Sequence, residues 1–457
     1  MKKILSLVLA LALVLGVMSF ASADDAKIKL VVWSFTNELQ KDLIEKYYAP
    51  NHPEIEFEFQ IYPTDGNEYV SKVDNLLATD AAAAEAPDIF TLEAGFVKHY
   101  TDSDWTADLR EVGFTDEELA TAYPVMAQIG QDSRTGVQKG LSWQSTPGAL
   151  FYRASLAEKY LGVTTPEEFQ ELVKDWDSFL DTAQKLKEAS NGACKMITGS
   201  GDIWNAYQYN RSAGWVVDGK LNIDEELVDF EELCKVMEED DLTQKSGAWN
   251  ETWFGGMRGD LETLTYLLPT WGLHYTLKPH CCEGADTAAN DEELAKMSEE
   301  KNGTFGDWRM VAGPVGYSWG GTWMGANAAK VALADDAKKA AIKDVIYFFT
   351  LNEDQLLQYA KDSGDFVGSS TAVEKYLAEG EHPNPFLGGQ DHYAVFAQAA
   401  ALARGDLLTK YDNDINGWWD TYVTTPYTKG EKSYDECIAD FIAQVQANIS
   451  AEEVAVD

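Results

Sequence analysis

The stretch KIKLVVW at residues 27–33 opens an alternation of strands and helices that decides the fold class. IEFEFQI at 55–61 and PDIFTL at 87–92 are two further runs rich in β-branched and aromatic residues, which are typical of strands. Between these runs, apolar residues recur at helical spacing over 37–48 and 69–77. Strands and helices in alternation predict a parallel α/β sheet with right-handed crossovers.

The chain after the N-terminal segment, residues 24–457, is too long for one ordinary core and suits two or three domains. A proline–glycine pair within 140–153 indicates a crossover between domains, and 308–315 indicates the return. Residues 283–302 are acidic and alanine-rich without apolar periodicity, so we expect a surface excursion there. Residues 336–359 are expected to form a long helical stretch, and 434–449 a closing helix.

The N-terminal segment, residues 1–23, predicts export by a Sec signal peptide. A basic start precedes an apolar run over 4–17, and an Ala-x-Ala site lies directly before Asp24. The run is marginal for a membrane span, which needs about 20 apolar residues. No cysteine follows it where a lipoprotein carries its lipid. We therefore expect a protein that is free in a periplasm or outside the cell.

The charge of the chain restricts its partners. There are 76 acidic and 36 basic residues, which gives a net charge of −40. Such a surface repels phosphate backbones and anionic lipids, which argues against nucleic acid and membrane-surface binding. Acidic ligands are also disfavoured, whereas a neutral ligand is not and a cationic one would be attracted.

The five cysteines fit no zinc-binding spacing. Export permits disulfides, and a pair between Cys194 and Cys234 stays open at this level. We expect the cysteines mainly to be small buried apolar residues.

Several stretches, taken in order, resemble the extracellular solute-binding proteins of carbohydrate ABC importers, the group that contains the maltodextrin-binding proteins. They cover most of the chain and are LVVWSFTNEL at 30–39, PDIFTLEAGFV at 87–97, the segment 146–186 that begins TPGALFYR, GPVGYSWGGTWMGAN at 313–327, the segment 341–370, NPFLGGQDHYAVFAQAA at 384–400 and GEKSYDECIADFIAQ at 430–444.

The resemblance implies a periplasmic-binding-protein type II fold, with two α/β lobes joined by hinge strands around a ligand cleft. The first lobe would hold residues 24–146 and 316–362, and the second 147–315 and 363–457. It further implies a monomer without catalysis or cofactor, which closes on its ligand and delivers it to ABC permease subunits in the membrane.

A neutral sugar predicts the residue types of such a site. Aromatic faces stack on the C–H faces of sugar rings, and carboxylates and amides pair with the hydroxyls. Position at strand ends, helix starts and crossovers then selects the candidates. The candidate ligand-binding residues are Trp33, Ser34, Thr36, Asn37, Glu38, Glu93, Trp143, Gln144, Trp204, Trp253, Trp271, Trp319, Thr322, Trp323, Asp365, Gln390, Asp391 and Trp418.

Three other interpretations compete with this one. The same fold could bind a cation such as a polyamine, which the negative charge would attract. A secreted glycoside hydrolase is a second alternative, although the chain lacks G-x-S-x-G and H-E-x-x-H and shows no (β/α)₈ pattern. Residues 412–417 match the first half of a calcium loop, but Val423 stands where the closing glutamate is required, so no metal is predicted.

Overall fold

A five-stranded sheet forms one part of the molecule. The computed structural model describes residues 27–209 and 211–456, so the predicted signal segment lies outside the described residues. The strands of this first sheet are β1 (Ile28–Ser34), β2 (Ile55–Ile61), β3 (Ile89–Glu93), β4 (Gly140–Ser142) and, far along the chain, β10 (Thr322–Ala326).

The order of the first sheet is β2-β1-β3-β10-β4. β1 pairs in parallel with both β2 and β3, which confirms the parallel α/β pattern predicted from 27–92. β10 runs antiparallel between β3 and β4, with Thr322 opposite Glu93. A strand from the second half of the chain thus completes a sheet that the first half begins.

A second sheet has three antiparallel strands, with β5 (Gly148–Arg153) between β8 (Thr265–Pro269) and β9 (Trp308–Val311). Both faces of β5 are covered: Ala149 and Phe151 join one buried cluster, and Leu150 and Tyr152 join another. A short hairpin, β6 (Val216–Val217) and β7 (Lys220–Leu221), lies apart from both sheets.

Helices surround the sheets. The longer ones are Leu39–Tyr48, Glu68–Asp80, Ala154–Leu161, Trp176–Ser190, Ser200–Tyr207, Glu225–Glu239, Glu251–Arg258, Asp291–Lys301, Asp336–Thr350, Glu353–Ser363, Ser370–Ala378, His392–Ala400, Asp412–Trp419 and Tyr434–Asn448. Shorter ones include Val97–Thr101, Asp116–Leu119, Pro124–Ile129, Pro166–Leu172, Leu273–Leu277, Ala328–Leu333, Asp420–Thr424 and Thr425–Thr428.

Two segments differ from the expectation. The excursion at 283–302 contains the helix Asp291–Lys301, whose start is capped by the Asn290 side chain, an acceptor for the Glu293 N–H at 2.9 Å. The expected single stretch at 336–359 is two helices: the first ends at Thr350, and the Asn352 side chain caps the start of the second. In both places a local capping hydrogen bond decides the structure more than apolar periodicity does.

Three chain segments cross between the sheets side by side. Gly148 N–H donates to the Tyr317 carbonyl at 2.9 Å, and Trp319 N–H donates to the Thr146 carbonyl at 3.1 Å. Gly368 N–H donates to the Trp143 carbonyl at 2.9 Å, which joins a third segment to the same bundle.

The five cysteines are buried free thiols, as expected of small apolar residues. Within residues 27–209 and 211–456, no helix has the length and apolar character needed to cross a membrane. The same residues contain no cluster of three or more His, Cys, Asp or Glu side chains that could hold a metal ion.

The crossing at Gly148 leaves no room for a side chain. A Cβ atom there would lie 1.9 Å from Cζ of Tyr317, which is fully buried. We expect Gly148→Ala to lower the free energy of unfolding by about 3 kcal/mol, at the upper end of the cost of overpacking. Urea unfolding followed by circular dichroism measures this change.

Gly201 provides a matched control, because it is exposed in the helix Ser200–Tyr207 and an added Cβ meets nothing within 4 Å. Gly201→Ala should leave stability unchanged or raise it by up to about 1 kcal/mol, since alanine favours helix. Equal urea midpoints for the two variants would contradict the packing account.

Candidate ligand-binding site

A cavity of about 820 Å³ opens between the carboxyl end of the first sheet and segments that follow the second. This size falls in the usual range for small-molecule sites. We call it the cleft. Its lining is mostly polar and aromatic: Asn67, Val70, Asp74, Glu93, Ala94, Gly95, Phe96, Lys98, His99, Asn205, Gln208, Tyr209, Trp249, Trp271, Trp319, Gly320, Gly321, Thr322, Leu408, Thr409, Lys410, Asp412, Asn413, Asp414 and Asn416.

The end of β3 supplies the acid on the first-sheet side. Glu93 is the last residue of β3, and its Oε2 accepts a hydrogen bond from Gly95 N–H at 2.7 Å. Ala94 N–H donates to the Gly321 carbonyl at 3.1 Å, which ties this turn to the start of β10. Burial raises the pKa of Glu93, although the backbone N–H groups of Gly95 and Ala94 act in the opposite direction.

Three tryptophans form an aromatic wall. Trp271 Nε1 donates to the Trp319 carbonyl at 2.8 Å, and the two ring centroids are 5.2 Å apart. A Cβ atom at Gly320 would lie 2.6 Å from Trp271 Nε1, so glycine is needed for this close approach. The Trp249 ring lies nearly parallel to that of Trp271, at 11° with 5.9 Å between centroids.

The wall on the other side is built from hydrogen-bonding side chains, and we call it the polar wall. Asn416 Nδ2 donates to Gln208 Oε1 at 3.0 Å, and Asn416 Oδ1 accepts from Trp215 Nε1 at 2.7 Å. Asp412 Oδ1 accepts from both the backbone N–H and the hydroxyl of Thr409, each at 2.7 Å. Burial raises the pKa of Asp412 to about 6. Residues 412–419 are a helix, so the partial match to a calcium loop does not produce a loop.

Each basic side chain that lines the cleft has an acidic partner. Lys98 Nζ lies 3.2 Å from Asp102, His99 Nε2 3.0 Å from Asp74, and Lys410 Nζ 3.0 Å from Glu453. The carboxylates Glu93 and Asp412 bond only to backbone N–H and threonine groups among the described residues. Neither of these two carboxylates has an ion-pair partner among the described residues, although the nearby charges of Arg211 and Lys98 act to lower the pKa of Asp412.

A second surface depression of about 760 Å³ has a different character. Its charged side chains pair with each other: Arg258 Nε lies 2.8 Å from Asp260, and Lys301 Nζ 3.6 Å from Glu283. It has no tryptophan, tyrosine or phenylalanine in its lining. The cleft is thus the better candidate for a ligand site.

Residues 33–258 match the family model of bacterial extracellular solute-binding proteins. This match spans just under half of the chain, and over these residues the chain is similar to that family. The proteins of this family are extracellular, which agrees with the export predicted for this chain. A comparison with curated protein sequences gave no match.

Solved structures of solute-binding proteins share the fold at low sequence identity. A crystal structure of an extracellular solute-binding protein of family 1 has 18% identity and a TM-score of 0.72, and the match covers 92% of this chain and 99% of that one. The sugar-binding protein MalE of Xanthomonas citri has 14% identity and a TM-score of 0.68, and the match covers 92% of this chain and 96% of that one. The galacto-N-biose-/lacto-N-biose I-binding protein of Bifidobacterium longum, in complex with lacto-N-biose, has 13% identity and a TM-score of 0.65. The match covers 94% of this chain and 99% of that one. The fold is the α/β type II fold of periplasmic binding proteins.

Four of the residues predicted from the sequence line the cleft: Glu93, Trp271, Trp319 and Thr322. Two come from the carboxyl end of β3 and the start of β10, which are paired. The other two are the tryptophans held together by the close approach at Gly320.

A second group of predicted residues forms an acidic cluster away from the cleft lining, made of Glu38, Trp143 and Asp365 with Tyr275 and Tyr359. Burial, together with the nearby carboxylates of Asp365 and Asp42, raises the pKa of Glu38 to about 7, and Trp143 acts in the opposite direction. Asp365 Oδ2 accepts from the Tyr359 hydroxyl at 3.0 Å, and burial raises the pKa of Asp365 to about 6.

The residues after β1 have turn-forming roles. Ser34 is fully buried, and its hydroxyl donates to the Thr36 carbonyl at 2.8 Å. Thr36 Oγ1 accepts from Glu38 N–H, and Asn37 is exposed. Trp33 packs edge-on against Tyr62 beside a separate cavity of about 300 Å³. In the structure these residues take part in local capping and packing, and their contacts with a ligand stay a prediction.

Three predicted tryptophans are packing residues. Trp323 is fully buried, and its Nε1 donates to the Met126 carbonyl at 2.8 Å. Trp253 is fully buried behind Trp249. Trp204 packs on Phe230 with 4.8 Å between centroids. None of the three lines the cleft.

The remaining candidates also lie outside the cleft lining. Gln390 clamps β9 through both the N–H and the carbonyl of Met310. Asp391 caps the helix His392–Ala400. The backbone of Gln144 pairs with Val367 in the crossing bundle. Trp418 packs half-buried on the C-terminal cluster, whereas its neighbour Trp419 is fully inside.

Sequence reasoning missed Trp249 and the polar wall, of which Asn205, Gln208 and Asp412 are members. Trp249 stands in the short Gly- and Asn-containing run GAWN at 247–250, which is a loop signal that could have directed attention to it. Part of the polar wall did stand out in the sequence, as the partial calcium loop at 412–417, but nothing in the sequence joins it to Asn205 and Gln208, which lie far away in the chain.

The acidic cluster makes stability depend on pH. Glu38 has a raised pKa in the folded state, so its contribution is fully present below pH about 4.5 and is lost as pH rises through about 7. We expect the melting temperature to fall between pH 5 and pH 8, and to fall less in Glu38→Gln. Differential scanning calorimetry across this range measures the slope.

Glu452→Gln, at an exposed residue, is the control and should keep the full slope. If Glu38→Gln and Glu452→Gln have the same pH dependence, Glu38 does not titrate as its surroundings indicate.

Proposed function

We propose that this protein is the extracytoplasmic binding component of an ABC importer and that it binds a neutral sugar or oligosaccharide. The observation that carries the proposal is that the aromatic wall and the polar wall line one cleft. Indole faces suit the C–H faces of a sugar ring, and carboxylates and amides suit its hydroxyls.

The charge distribution favours hydroxyl donors over anionic ligands. Glu93 and Asp412 add negative charge, and Lys98 is committed to Asp102. A uronic acid or a phosphorylated sugar would bring a further negative charge into this site and meet repulsion. A polyamine remains the second candidate, because the same carboxylates would attract it, but it would leave three indole faces without ring partners.

Binding would proceed by closure of two lobes, which we propose to hold residues 24–146 with 316–362 and residues 147–315 with 363–457. Ligand contacts to both walls exist together only in the closed form, so the ligand shifts the population towards it. The closed form would then dock on membrane permease subunits. The three crossing segments, which pair antiparallel through Gln144 with Val367 and Pro147 with Ser318, would provide the hinge for such a motion.

Support for a sugar ligand also comes from the relatives of the same fold. The Bifidobacterium longum protein is described in complex with lacto-N-biose, and the Xanthomonas citri protein as sugar-binding. The matched family is one of solute binders, so we propose that this chain acts without catalysis, as an exported monomer.

A thermal-shift panel tests the proposal on the exported protein. The probes are glucose, galactose, maltose, maltotriose, β-1,6-galactobiose and lacto-N-biose within a wider set of sugars, with galacturonic acid and spermidine alongside. A ligand that binds only the native state raises the melting temperature. We expect a rise with a neutral sugar and none with galacturonic acid, and a rise with spermidine alone would overturn the substrate class. Release of hydrolysis products would support the glycoside hydrolase instead.

Trp271→Ala tests the aromatic wall. We expect the affinity for the stabilising sugar to fall about tenfold or more by isothermal titration calorimetry, because one aromatic stack of about 1.5 kcal/mol corresponds to roughly that factor. Trp418→Ala removes a half-buried tryptophan outside the cleft and should leave affinity unchanged. Unchanged affinity in Trp271→Ala would exclude this wall as the sugar site.

A further inference from the structure

A small cavity of about 140 Å³ lies next to the cleft, between the helices Ser200–Tyr207 and Asp412–Trp419. We call it the aromatic cavity. A cavity of about this size can hold a molecule as large as benzene. Asn416 is the one described residue that lines both the aromatic cavity and the cleft. The aromatic cavity is therefore a separate space, which the proposed sugar site does not use.

Three aromatic side chains line the aromatic cavity: Trp204, Phe230 and Trp419. The rings of Trp204 and Phe230 meet edge to face at 60°, with 4.8 Å between centroids. Trp215 packs on both indoles, with its centroid 5.9 Å from that of Trp204 and 5.2 Å from that of Trp419. Because Trp204 and Phe230 are steeply inclined to each other, they form no flat surface, and the cavity suits a compact guest better than a planar one.

Two carboxyl groups give this cavity a negative character, and none of its described lining residues is basic. Asp420 lines it, is exposed, and has no hydrogen bond or ion pair among the described residues. Glu231 is fully buried directly behind the lining, where its Oε1 accepts from Trp419 Nε1 at 2.8 Å and from Thr424 Oγ1 at 2.6 Å.

The second oxygen of Glu231 is unsatisfied. Its Oε2 has no hydrogen-bond partner in the described part of the chain, which is rare for a buried carboxyl oxygen and calls for an explanation. Burial raises the pKa of Glu231 to about 7, the hydrogen bonds from Thr424 and Trp419 act in the opposite direction, and the charge of Asp420 adds to the rise. A positive charge in the aromatic cavity would stabilise both carboxylates.

We propose that the aromatic cavity is a second ligand site, and that it binds a small methylated ammonium group. Aromatic faces attract cations through the ring quadrupole, tryptophan most strongly, and quaternary ammonium groups are recognised in this way. Asp420 would supply the counter-charge. A metal ion fits less well, because the described residues contain no cluster of three side chains able to hold one. This inference goes beyond the proposed function and does not depend on which ligand the cleft binds.

Ligand-observed NMR with tetramethylammonium and tert-butanol tests the inference on the exported protein. The two molecules have equal numbers of non-hydrogen atoms, and the methyl groups of each give one signal, so saturation-transfer difference titrations compare charge at nearly constant size. We expect saturable binding of tetramethylammonium, with an affinity about tenfold above that of tert-butanol. Equal affinities, or no saturable binding of tetramethylammonium, would overturn the inference.

Two variants show whether the ammonium binds in this cavity. Asp420→Asn removes the charge of an exposed side chain and keeps its shape, and the affinity for tetramethylammonium should fall about threefold. Trp204→Leu removes an indole face and should lower this affinity about tenfold. Affinity for tert-butanol should not change in Asp420→Asn. Asp435→Asn, at an exposed acid outside the cavity, is the matched control and should bind as the unaltered protein does.

The melting temperature of each variant shows whether it is folded, and Asp420→Asn alone decides if Trp204→Leu is not. If Asp420→Asn and Asp435→Asn bind tetramethylammonium equally well, the ammonium binds elsewhere and the inference is wrong. Sugar affinity should be the same in Asp420→Asn as in the unaltered protein, because Asp420 does not line the cleft. Failure of the ammonium test therefore leaves the proposed sugar-binding function standing.

Discussion

The backbone pairing of the three crossing segments is the constraint on which the rest of the structure depends. Residues 143–148, 317–319 and 366–368 are hydrogen-bonded side by side, so both sheets are fixed to one bundle. Because the chain enters β10 directly from this bundle, Trp319 and Gly321 come to lie next to the end of β3. The cleft exists where it does because these crossings bring distant strand ends to one edge.

Glycine and tryptophan act together at that edge. The close approach at Gly320 lets the indole of Trp271 reach the Trp319 carbonyl, and this bond sets the inner part of the aromatic wall. A fully buried tryptophan, Trp323, follows only a few residues later and packs into the core of the first sheet. The two roles are separated along the chain. Trp323 lies within β10 and packs in the core, whereas the turn before β10 lines the cleft.

The electrostatics of the cleft give it its chemical character. Lys98, His99 and Lys410 each pair with an acid, and the carboxylates of Glu93 and Asp412 add negative charge to the lining. Burial raises the pKa of both acids, and a partly buried carboxylate with free lone pairs is a strong acceptor for hydroxyl groups. The carboxylates in the cleft thus have the same sign of charge as the chain as a whole.

The sequence by itself determined what depends on near neighbours. Period-two and helical patterns located β1, β2 and β3 and their parallel order, and the strand-end rule pointed to Glu93 and Thr322. Tertiary structure alone decided which tryptophans meet solvent: Trp271 and Trp323 both stand near glycines or strand ends, and only the elements packed on them separate wall from core. Trp249 and the polar wall at Gln208 and Asp412 could not be predicted for the same reason. Their proximity arises from side chains that are far apart along the chain, and local pattern carries no information about such contacts.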